Sequence, residues 1–554
     1  MEILRRAQPW DAIVIGSGAN GGVAAWQLAE AGLRVLVVEA GARVHGREDH
    51  GSFFTNAPRA LYRHLVSRRQ EIQKSHPTYW ATNPDFFVDD EDNPYTTPEG
   101  KPFRWIRARR VGGRTLTWDA VTPRLSDFEF KAASVDGLGP DWPITHADLA
   151  PYYARLERFF GVYGTREGIE AVPDGEFAGS RPMTPAEGAF KQRLEARHAD
   201  RRVIISRGLH AQRAPGDGEE HSRISSTATT LAAAGATGRM TLRTNAVVSR
   251  ILVAPDGARA TGVEIIDTET RLPVELHARV VFLCASSLES VRILMNSRSR
   301  AHPAGIGAAS GVLGRYVMDH SAGNVYFYLP DVPDGGENYA FSGSDSILIP
   351  RYRNLGSKRE PYYRGFGVWG GIQRLPVPGL LRKQRRVAWG FLCARSETFP
   401  HRDNRLELHP TLVDAWGIPA AHITVEWKDH DLALAEAARL ETQEMVEAAG
   451  GTIATVTDLF HTPFVTGFIK SMQKEWTLST PGMFVHEVGG ARMGDDPRSS
   501  VVDPSGRTWD VPNLYVTDGA CWPTSGWQNP TLTEMAITAR ACAHAVDALR
   551  RGEG

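Results

Sequence analysis

A histidine and an asparagine near the end of the chain have side chains that could carry out acid–base chemistry and hydrogen bonding at a catalytic site. His486 lies in VHEVGGARMG, residues 485–494, and Asn529 follows in GWQNPTLTEMA, residues 526–536. A neutral imidazole near its ordinary pKa can act as a general base, and an amide N–H can donate a hydrogen bond without adding charge. A lone histidine is more often structural, and the chain contains 18 of them, so the surrounding elements must decide.

The N-terminal segment DAIVIGSGANGG, residues 11–22, has the pattern of a dinucleotide-binding turn. Its apolar, β-branched start predicts a buried parallel strand, and Gly16, Gly18 and Gly21 follow in G-x-G-x-x-G spacing. VAAWQLAEAG then has helical periodicity, and LRVLVVEAG predicts a second strand that ends at Glu39. The glycine spacing alone is a weak signal, but here the strands, the helix and the acidic residue accompany it.

Each of these residues has a physical role in such a motif. Gly16 permits the tight turn, Gly18 lets a pyrophosphate approach the backbone, and Gly21 lets the helix pack closely on the strand. The helix N-terminus offers free N–H groups to phosphates. Glu39 can accept hydrogen bonds from ribose hydroxyls and would repel a 2′-phosphate. A purely structural glycine turn is the alternative.

A second fingerprint of this kind is not recognisable in the sequence. The glycines at 307–314 and 489–494 follow no clear strand–helix pattern, so a separate nicotinamide site is not indicated. One nucleotide site favours a bound FAD that oxidises an organic substrate itself.

Length and composition are those of a soluble protein with more than one domain. The 554 residues exceed the usual size of a single hydrophobic core, and 42% hydrophobic with 23% charged residues is ordinary. The 63 basic and 64 acidic side chains nearly cancel, so no overall field attracts nucleic acid or an anionic membrane. No apolar run is long enough to span a bilayer. We therefore expect neither nucleic acid nor a membrane as a partner.

The cysteines and the N-terminus favour a cytoplasmic location. Cys284, Cys393, Cys521 and Cys542 are widely spaced and form no CxxC pair, which signals neither a disulfide framework nor a metal site. Buried, reduced thiols suit a reducing compartment. The N-terminal stretch lacks the apolar segment and small-residue cleavage site of an export signal.

Later segments complete a discontinuous α/β fold. Strands are predicted in MTLRTNAVVSRILV, GARATGVEIID, ARVVFLCASS and VPNLYVTDGACWP, and helices in LESVRILMNS and TEMAITARACAHAVDALRR. We assign residues 1–75, 228–320 and 476–554 to a Rossmann-like FAD-binding domain. Residues 76–227 and 321–475 form the predicted substrate-binding domain, in which NVYFYLP, SILIPRY, GFGVWGGIQRL and RVAWGFLCARSE indicate a largely antiparallel sheet.

The ordered set of motifs resembles the glucose–methanol–choline (GMC) oxidoreductases. It consists of GSGANGGVAAWQLAEAGLRVLVVEAG, RRVGGRTLTW, LGRYVMDH, HEVGGARMG and DGACWPTSGWQNPTLTEMA. These motifs span nearly the whole chain in the family's order. The histidine-then-asparagine ending, together with DWPITHADLAPYYARLERFFGVYG (141–164), is most similar to the pyranose oxidase branch and to related sugar and glycoside dehydrogenases.

The resemblance implies an FAD-dependent oxidoreductase in which a CH–OH group gives a hydride to flavin N5. His486 would be the base and Asn529 would hold the alcohol oxygen. Gly112 and Gly113 would lie along the flavin edge, with a plain turn as the alternative reading. With the histidine as base, the rate should rise with pH through a titration near the ordinary histidine pKa.

Further cofactor contacts follow from the same resemblance. Asp518 would lie at the pyrophosphate, with helix capping as the alternative, and Val248 would bind adenine through its backbone, with plain strand packing as the alternative. Gly519, Pro530 and Thr531 complete the implied cofactor-binding set. In pyranose oxidases a histidine attaches the flavin covalently, and Thr117 stands at that position here. Threonine cannot form the histidyl link, so FAD should be non-covalent.

Several roles remain open at this level. Glu397, Asn404 and Arg405 could line the active site or tie strands together, and His320 is expected to be structural. The substrate is expected to be a sugar, a glycoside or a sugar-bearing natural product, with a non-sugar alcohol such as a sterol or choline-like compound as the alternative. A flavoprotein subunit without turnover is a third reading. Oxygen, a quinone or a carrier protein would reoxidise the flavin.

Overall fold

The described part of the chain folds around three sheets. The structure is a computed structural model, and it describes residues 9–44, 68–76, 80, 83–210, 224–335, 339, 343–356, 362–375, 377, 379–461 and 480–553. The strands are β1 (Trp10–Ile15), β2 (Val35–Val38), β3 (Tyr95–Thr96), β4 (Ile204–Ile205), β5 (Met240–Arg243), β6 (Ala246–Val253), β7 (Ala260–Asp267), β8 (Pro273–Leu283), β9 (Ser321–Pro333), β10 (Ile347–Ile349), β11 (Phe366–Ile372), β12 (Val387–Ser396), β13 (Arg405–Val413), β14 (Pro419–Thr424), β15 (Thr452–Ala454) and β16 (Leu514–Val516). The α-helices are α1 (Ala19–Glu30), α2 (Asp127–Phe130), α3 (Ala132–Asp136), α4 (His146–Phe160), α5 (Pro185–Arg197), α6 (Thr230–Ala236), α7 (Ser287–Asn296), α8 (Asp429–Ala448), α9 (Val456–Leu459) and α10 (Thr531–Arg550).

The first sheet is Rossmann-like, as predicted. Its strand order is β5-β2-β1-β8-β7-β6, with β16 also paired to β8. The pairs among β5, β2, β1, β8 and β16 are parallel, whereas β6, β7 and β8 form an antiparallel meander. Helix α1 packs on this sheet and against α10. Strands β1 and β2 are apolar and buried because helices and loops cover both faces of a parallel sheet.

The second sheet is antiparallel throughout, which confirms the prediction for the middle of the chain. Its order is β15-β9-β12-β11-β10-β4. Because side chains alternate between the two faces of a strand, β12 sends Leu392 and Ala394 into a hydrophobic core with Leu434 of α8. Its alternate residues, Phe391 and Arg395 among them, therefore lie on the other face.

Helix α4 joins the two predicted domains. Thr145 caps its N-terminus in a capping box with Asp148. The Tyr153 hydroxyl lies 2.7 Å from Thr533 Oγ1 on α10. The segment assigned to the substrate-binding domain thus packs directly on a helix of the FAD-binding domain, and the division of the chain into two domains remains a prediction.

The cysteines match the expectation of buried thiols. Cys284, Cys393, Cys521 and Cys542 are all buried and unpaired. Among the helices that the structure describes, none combines the length and apolarity that crossing a membrane requires.

Candidate active site

A deep cavity lies between the first sheet and the loop that carries His486. With its opening to solvent included, it encloses about 1810 Å³ of empty space. His486 forms part of its wall. The predicted cofactor residues in the wall are Gly16, Gly18, Glu39, Gly113, Thr117, Val248, Asp518, Pro530 and Thr531. Gly21, Gly112, Gly519 and Asn529 lie outside this wall.

The three glycines of the fingerprint differ in what surrounds them. Gly16 has φ +95°, and a Cβ there would lie 2.4 Å from the Cys284 carbonyl oxygen. A Cβ at Gly21 would lie 1.9 Å from the carbonyl oxygen of Gly16. At Gly18 the nearest atom would be 3.9 Å away. Packing within the protein therefore explains Gly16 and Gly21, whereas Gly18 leaves open space in front of the turn.

Glu39 ties the end of β2 to this turn. One carboxylate oxygen accepts hydrogen bonds from the Ser17 amide (3.0 Å) and the Ser17 hydroxyl (2.6 Å), and the other accepts one from the Gly41 amide (2.8 Å). Burial raises the pKa of Glu39. The side chain therefore has a structural role as well as its place in the cavity wall.

The RRVGGRTLTW segment packs against the same turn. Gly112 has φ +105° and donates its amide to Ser17 Oγ at 3.0 Å. A Cβ at Gly113 would lie 3.2 Å from the Cα of Gly18. Thr117 ends the 3-10 turn that follows, where its hydroxyl donates to the Arg114 carbonyl at 3.3 Å. These contacts bring the second motif to the glycine turn, from which it is about one hundred residues distant.

Asp518 caps a short 3-10 helix and also faces the cavity. Its carboxylate accepts hydrogen bonds from the amides of Ala520 and Ser286, both at 3.0 Å, and from the Ser290 hydroxyl at 2.5 Å. Burial raises the pKa of Asp518 to about 6. Burial and the nearby charge of Asp518 also raise the pKa of Glu534, in the first turn of α10, to about 8. Helix capping, the alternative role of Asp518, thus accounts for some of its hydrogen bonds but not for all of them.

The cavity fits a dinucleotide cofactor. Gly18 is the N-cap of helix α1, which has no side-chain cap and no acidic residue in its first turn, so its N-terminal amides can bind phosphate. Two buried polar atoms of wall residues, Arg107 Nε and Trp118 Nε1, have no hydrogen-bond partner among the described residues. Both are donors that a bound cofactor can satisfy.

His486 and Asn529, 43 positions apart in the sequence, meet in the fold. Asn529 Nδ2 lies 3.4 Å from His486 Nε2. The guanidinium of Arg395 donates to Asn529 Oδ1. Because a guanidinium can only donate, this bond points the amide N–H groups of Asn529 toward the imidazole. The predicted pair is therefore brought together, with its amide orientation set by a third residue.

The backbone of the His486 loop is held by Asp319. Its carboxylate accepts hydrogen bonds from the amides of Gly482 (2.9 Å), His486 (3.1 Å) and Phe484 (3.3 Å). Burial raises the pKa of Asp319. Val485, within this loop, has φ +60°, a strained conformation for a β-branched residue.

His320 contacts the candidate base directly, which the sequence reading of it as a structural residue did not anticipate. Its Nδ1 lies 2.9 Å from His486 Nδ1, and its Nε2 lies 2.5 Å from the carbonyl oxygen of Gly526. The MDH triplet in LGRYVMDH, which places an acid next to an imidazole, is the sequence signal that could have pointed to it. Burial and the charge of Arg395 lower the pKa of His320 to about 3.

The environment also changes the expected titration of His486. Burial, the adjacent imidazole of His320 and the charge of Arg395 lower its pKa well below the ordinary 6.5. This direction differs from the titration expected near the ordinary histidine pKa, and it favours the neutral imidazole.

One face of the second sheet borders this pair. Trp369 and Phe391 pack edge to face with ring centres 5.3 Å apart, and they share a hydrophobic cluster with Phe484 of the His486 loop. Arg395, only 6% exposed, stacks over Trp369 at 4.8 Å. Asn324 pairs with Cys393 on the neighbouring strand and is exposed. The face combines aromatic rings with polar groups.

The three residues whose roles the sequence did not decide stabilise the fold through ion pairs and hydrogen bonds. Glu397 is fully buried in an ion pair with Arg351 at 3.0 Å. Asn404 exchanges hydrogen bonds with the backbone of Glu426. Arg405 pairs with Glu407 on its own strand. Elsewhere in the described ranges, no group of three or more His, Cys, Asp or Glu side chains could hold a metal ion.

Family models match both halves of the chain. Two GMC oxidoreductase models match residues 193–322 and 400–538, and a model of NAD(P)-binding Rossmann-like domains matches residues 14–64. The Rossmann-like match includes the glycine fingerprint and Glu39. The GMC oxidoreductase match over residues 400–538 contains both His486 and Asn529.

Related proteins align with nearly the full length of the chain. It is 28% identical to a 2-methyl-1,2-propanediol dehydrogenase of Mycolicibacterium austroafricanum, over 97% of this chain and 95% of that protein. It is 26% identical to the fructose dehydrogenase large subunit of Gluconobacter japonicus, over 98% of both chains. It is 28% identical to a paromamine 6′-oxidase of Streptomyces fradiae, over 96% of this chain and 90% of that protein.

Substitution of Gly18 should abolish cofactor binding without unfolding the protein. The Gly18→Val side chain would fill the open space in front of the glycine turn, so we expect little or no FAD in the purified variant. Glu39→Gln keeps one acceptor oxygen and should weaken binding less. Gly188→Val, at a helix position where a Cβ meets nothing within 4 Å, is the matched control.

FAD occupancy is measured from the flavin absorbance per protein, with circular dichroism as the check on folding. Full occupancy in a folded Gly18→Val protein would show that the glycine turn does not bind the cofactor.

Proposed function

The chain belongs to the GMC oxidoreductases and is an FAD-dependent oxidoreductase that acts on CH–OH groups, and we propose that it oxidises a sugar, a glycoside or a sugar-bearing natural product to a carbonyl compound. His486 is the base, Asn529 holds the reacting oxygen, and FAD is bound without a covalent link. The observation that carries the proposal is the convergence of His486 Nε2 and Asn529 Nδ2, 3.4 Å apart.

The chemistry divides between cofactor and protein. Bound FAD supplies the acceptor for the hydride of the alcohol carbon. His486 Nε2 takes the hydroxyl proton, since the developing carbonyl cannot keep it, and a general base of this kind contributes about 10² to 10⁴ in rate. Asn529 Nδ2 donates to the same oxygen and holds it against the base. Arg395, bonded to Asn529 Oδ1, keeps the amide in the donating orientation.

The second sheet supports a polyhydroxylated substrate. A sugar presents both apolar C–H faces and hydroxyl groups, so its pocket needs aromatic surfaces and several polar partners. The face of the second sheet that borders His486 and Asn529 carries the aromatic residues Trp369 and Phe391 and the polar residues Asn324 and Arg395. One relative is named for fructose, a sugar, and another is named for paromamine.

A small non-sugar alcohol is the second candidate. One full-length relative at 28% identity is named for 2-methyl-1,2-propanediol. A panel of sugars, glycosides and small diols, each tested for anaerobic bleaching of the flavin, separates the two. Reduction by diols alone would overturn the sugar assignment. Repeating the panel with oxygen, quinones and dyes identifies the class of electron acceptor.

The predicted domains agree with these roles. Residues 1–75, 228–320 and 476–554 contribute the glycine turn, Val248, Asp518 and the His486 loop, and we propose that they bind FAD. Residues 76–227 and 321–475 contribute the second sheet, and we propose that they bind the substrate, although Gly113 and Thr117 of the first segment also line the cofactor cavity.

When the protein is denatured, FAD should be released from it chemically unchanged. Thr117 stands where the attaching histidine of pyranose oxidases would lie, and its hydroxyl donates to the Arg114 carbonyl. Acid precipitation of the purified protein should leave all the yellow colour in the supernatant. Colour retained in the washed pellet would prove a covalent link.

Loss of the base should affect flavin reduction and spare cofactor binding. His486→Ala should keep its FAD, because most of the cavity wall lies elsewhere, and anaerobic stopped-flow reduction by a confirmed substrate should slow by about 10² to 10⁴. Asn529→Ala should slow reduction less, since the base remains. A His486→Ala protein that is reduced at the wild-type rate would rule out this role.

The pH dependence should reflect the lowered pKa of His486. The neutral imidazole is the active form, so reduction is at its full rate above that pKa and slows as the pH falls through it. We expect a flat profile around neutrality and an acidic limb well below pH 6.5. Arg395→Met removes one of the charges that lower the pKa, and should move the limb upward. A wild-type limb at or above pH 6.5 would contradict the assignment.

A further inference from the structure

We propose that His320 is a positioning residue that sets the tautomer of His486, keeping its ring proton on Nδ1 so that Nε2 faces the substrate as a bare acceptor. This inference rests on the proposed function, because it concerns the nitrogen that takes the alcohol proton. His320 touches His486 and need not touch the substrate.

The direction of the chain of hydrogen bonds is set at Gly526. Its carbonyl oxygen can only accept, and His320 Nε2 lies 2.5 Å from it, so the Nε2 of His320 carries a proton. A neutral imidazole has one ring proton. His320 Nδ1 is therefore a bare acceptor.

The hydrogen bond between the two imidazoles then determines which nitrogen of His486 carries the proton. His320 Nδ1 lies 2.9 Å from His486 Nδ1, and two bare nitrogens at that distance would repel each other. His486 Nδ1 must therefore carry the proton, which leaves His486 Nε2 bare. The alternative, a His320 protonated on both nitrogens, is disfavoured because the residue is 3% exposed and Arg395 lies nearby.

The opposite end of the network requires the same arrangement. Arg395 can only donate, so Asn529 Oδ1 faces it and Asn529 Nδ2 faces His486 Nε2. Without substrate, the unprotonated Nε2 is the acceptor that faces this donor; a bound alcohol would take over the Asn529 N–H at its oxygen and offer its own O–H to Nε2. The two ends, Gly526 and Arg395, are independent of each other and agree on the protonation state between them.

His320 has a second effect once the reaction begins. The O–H bond of the alcohol breaks and an Nε2–H bond forms, which makes His486 an imidazolium. Its Nδ1–H continues to donate to His320 Nδ1, and this bond stabilises the new charge. Transfer of the Nδ1 proton to His320 would make that residue the imidazolium instead, which its burial and the charge of Arg395 oppose, so the new charge stays on His486.

Free neutral histidine carries its proton mainly on Nε2, so His486 without His320 should revert toward that form and present a donor to the alcohol. His320→Leu removes the acceptor. His320→Asn places an amide oxygen near the former Nδ1 position and should restore it. His302→Leu is the matched control, because His302 Nε2 makes the same kind of bond to the Gly257 carbonyl at 2.9 Å outside the site.

The direct test is ¹⁵N NMR of the FAD-loaded protein labelled in histidine, with the His486 signals assigned by their loss in His486→Gln. The wild type should show a protonated Nδ1 and a bare Nε2. His320→Leu should shift the proton toward Nε2 and slow anaerobic flavin reduction about ten- to hundredfold at unchanged FAD occupancy. His320→Asn should recover the wild-type tautomer and most of the rate, and His302→Leu should change neither.

A proton on Nε2 of wild-type His486 would overturn the proposal, as would a His320→Leu protein with an unchanged tautomer and rate. The wild-type spectrum decides the matter even if His320→Leu does not fold. Failure of the proposed function is distinguishable, because it would appear as rapid flavin reduction in His486→Ala whatever the tautomer.

Discussion

The buried carboxylate of Asp319 is the interaction on which the candidate site depends. It accepts three backbone hydrogen bonds from the loop that carries His486, and the residue that follows it, His320, contacts the imidazole itself. Two consecutive residues thus hold both the backbone and the ring of the candidate base. A carboxylate that collects several amides can hold the loop in a conformation such as the φ of +60° at Val485, which the chain would otherwise avoid.

The same loop connects the cofactor cavity to the substrate side. Arg114, from the segment that packs on the glycine turn, donates to the Val485 carbonyl at 2.7 Å and pairs with Glu487 at 2.6 Å. Phe484 packs into the aromatic cluster of the second sheet. The position of His486 is therefore coupled to both halves of the fold, which explains how residues far apart in sequence form one site.

Local patterns were sufficient to predict much of this architecture. The β-branched run before Gly16, the helix after it and the strand ending at Glu39 lie where their periodicity placed them. The strands of the second sheet are short, aromatic-rich and mostly apolar runs, which made them recognisable as strands, and the sheet that they form is antiparallel. The pairing of His486 with Asn529 came from family resemblance, because their sequence separation says nothing about distance.

The remaining features depend on long-range contacts that no local pattern encodes. His320 reaches His486 across 166 positions, and Arg395 reaches Asn529 only through the register of β12 within its sheet. The lowered pKa of His486 arises from burial and neighbouring charge, which are properties of the assembled fold. The most direct measurement of the central claim is a crystal structure of the FAD-loaded protein with a bound, unreactive analogue of a confirmed alcohol substrate. We predict that the hydroxyl oxygen lies within about 3.2 Å of both His486 Nε2 and Asn529 Nδ2. A hydroxyl bound to other residues, with neither of these two atoms in contact, would contradict it.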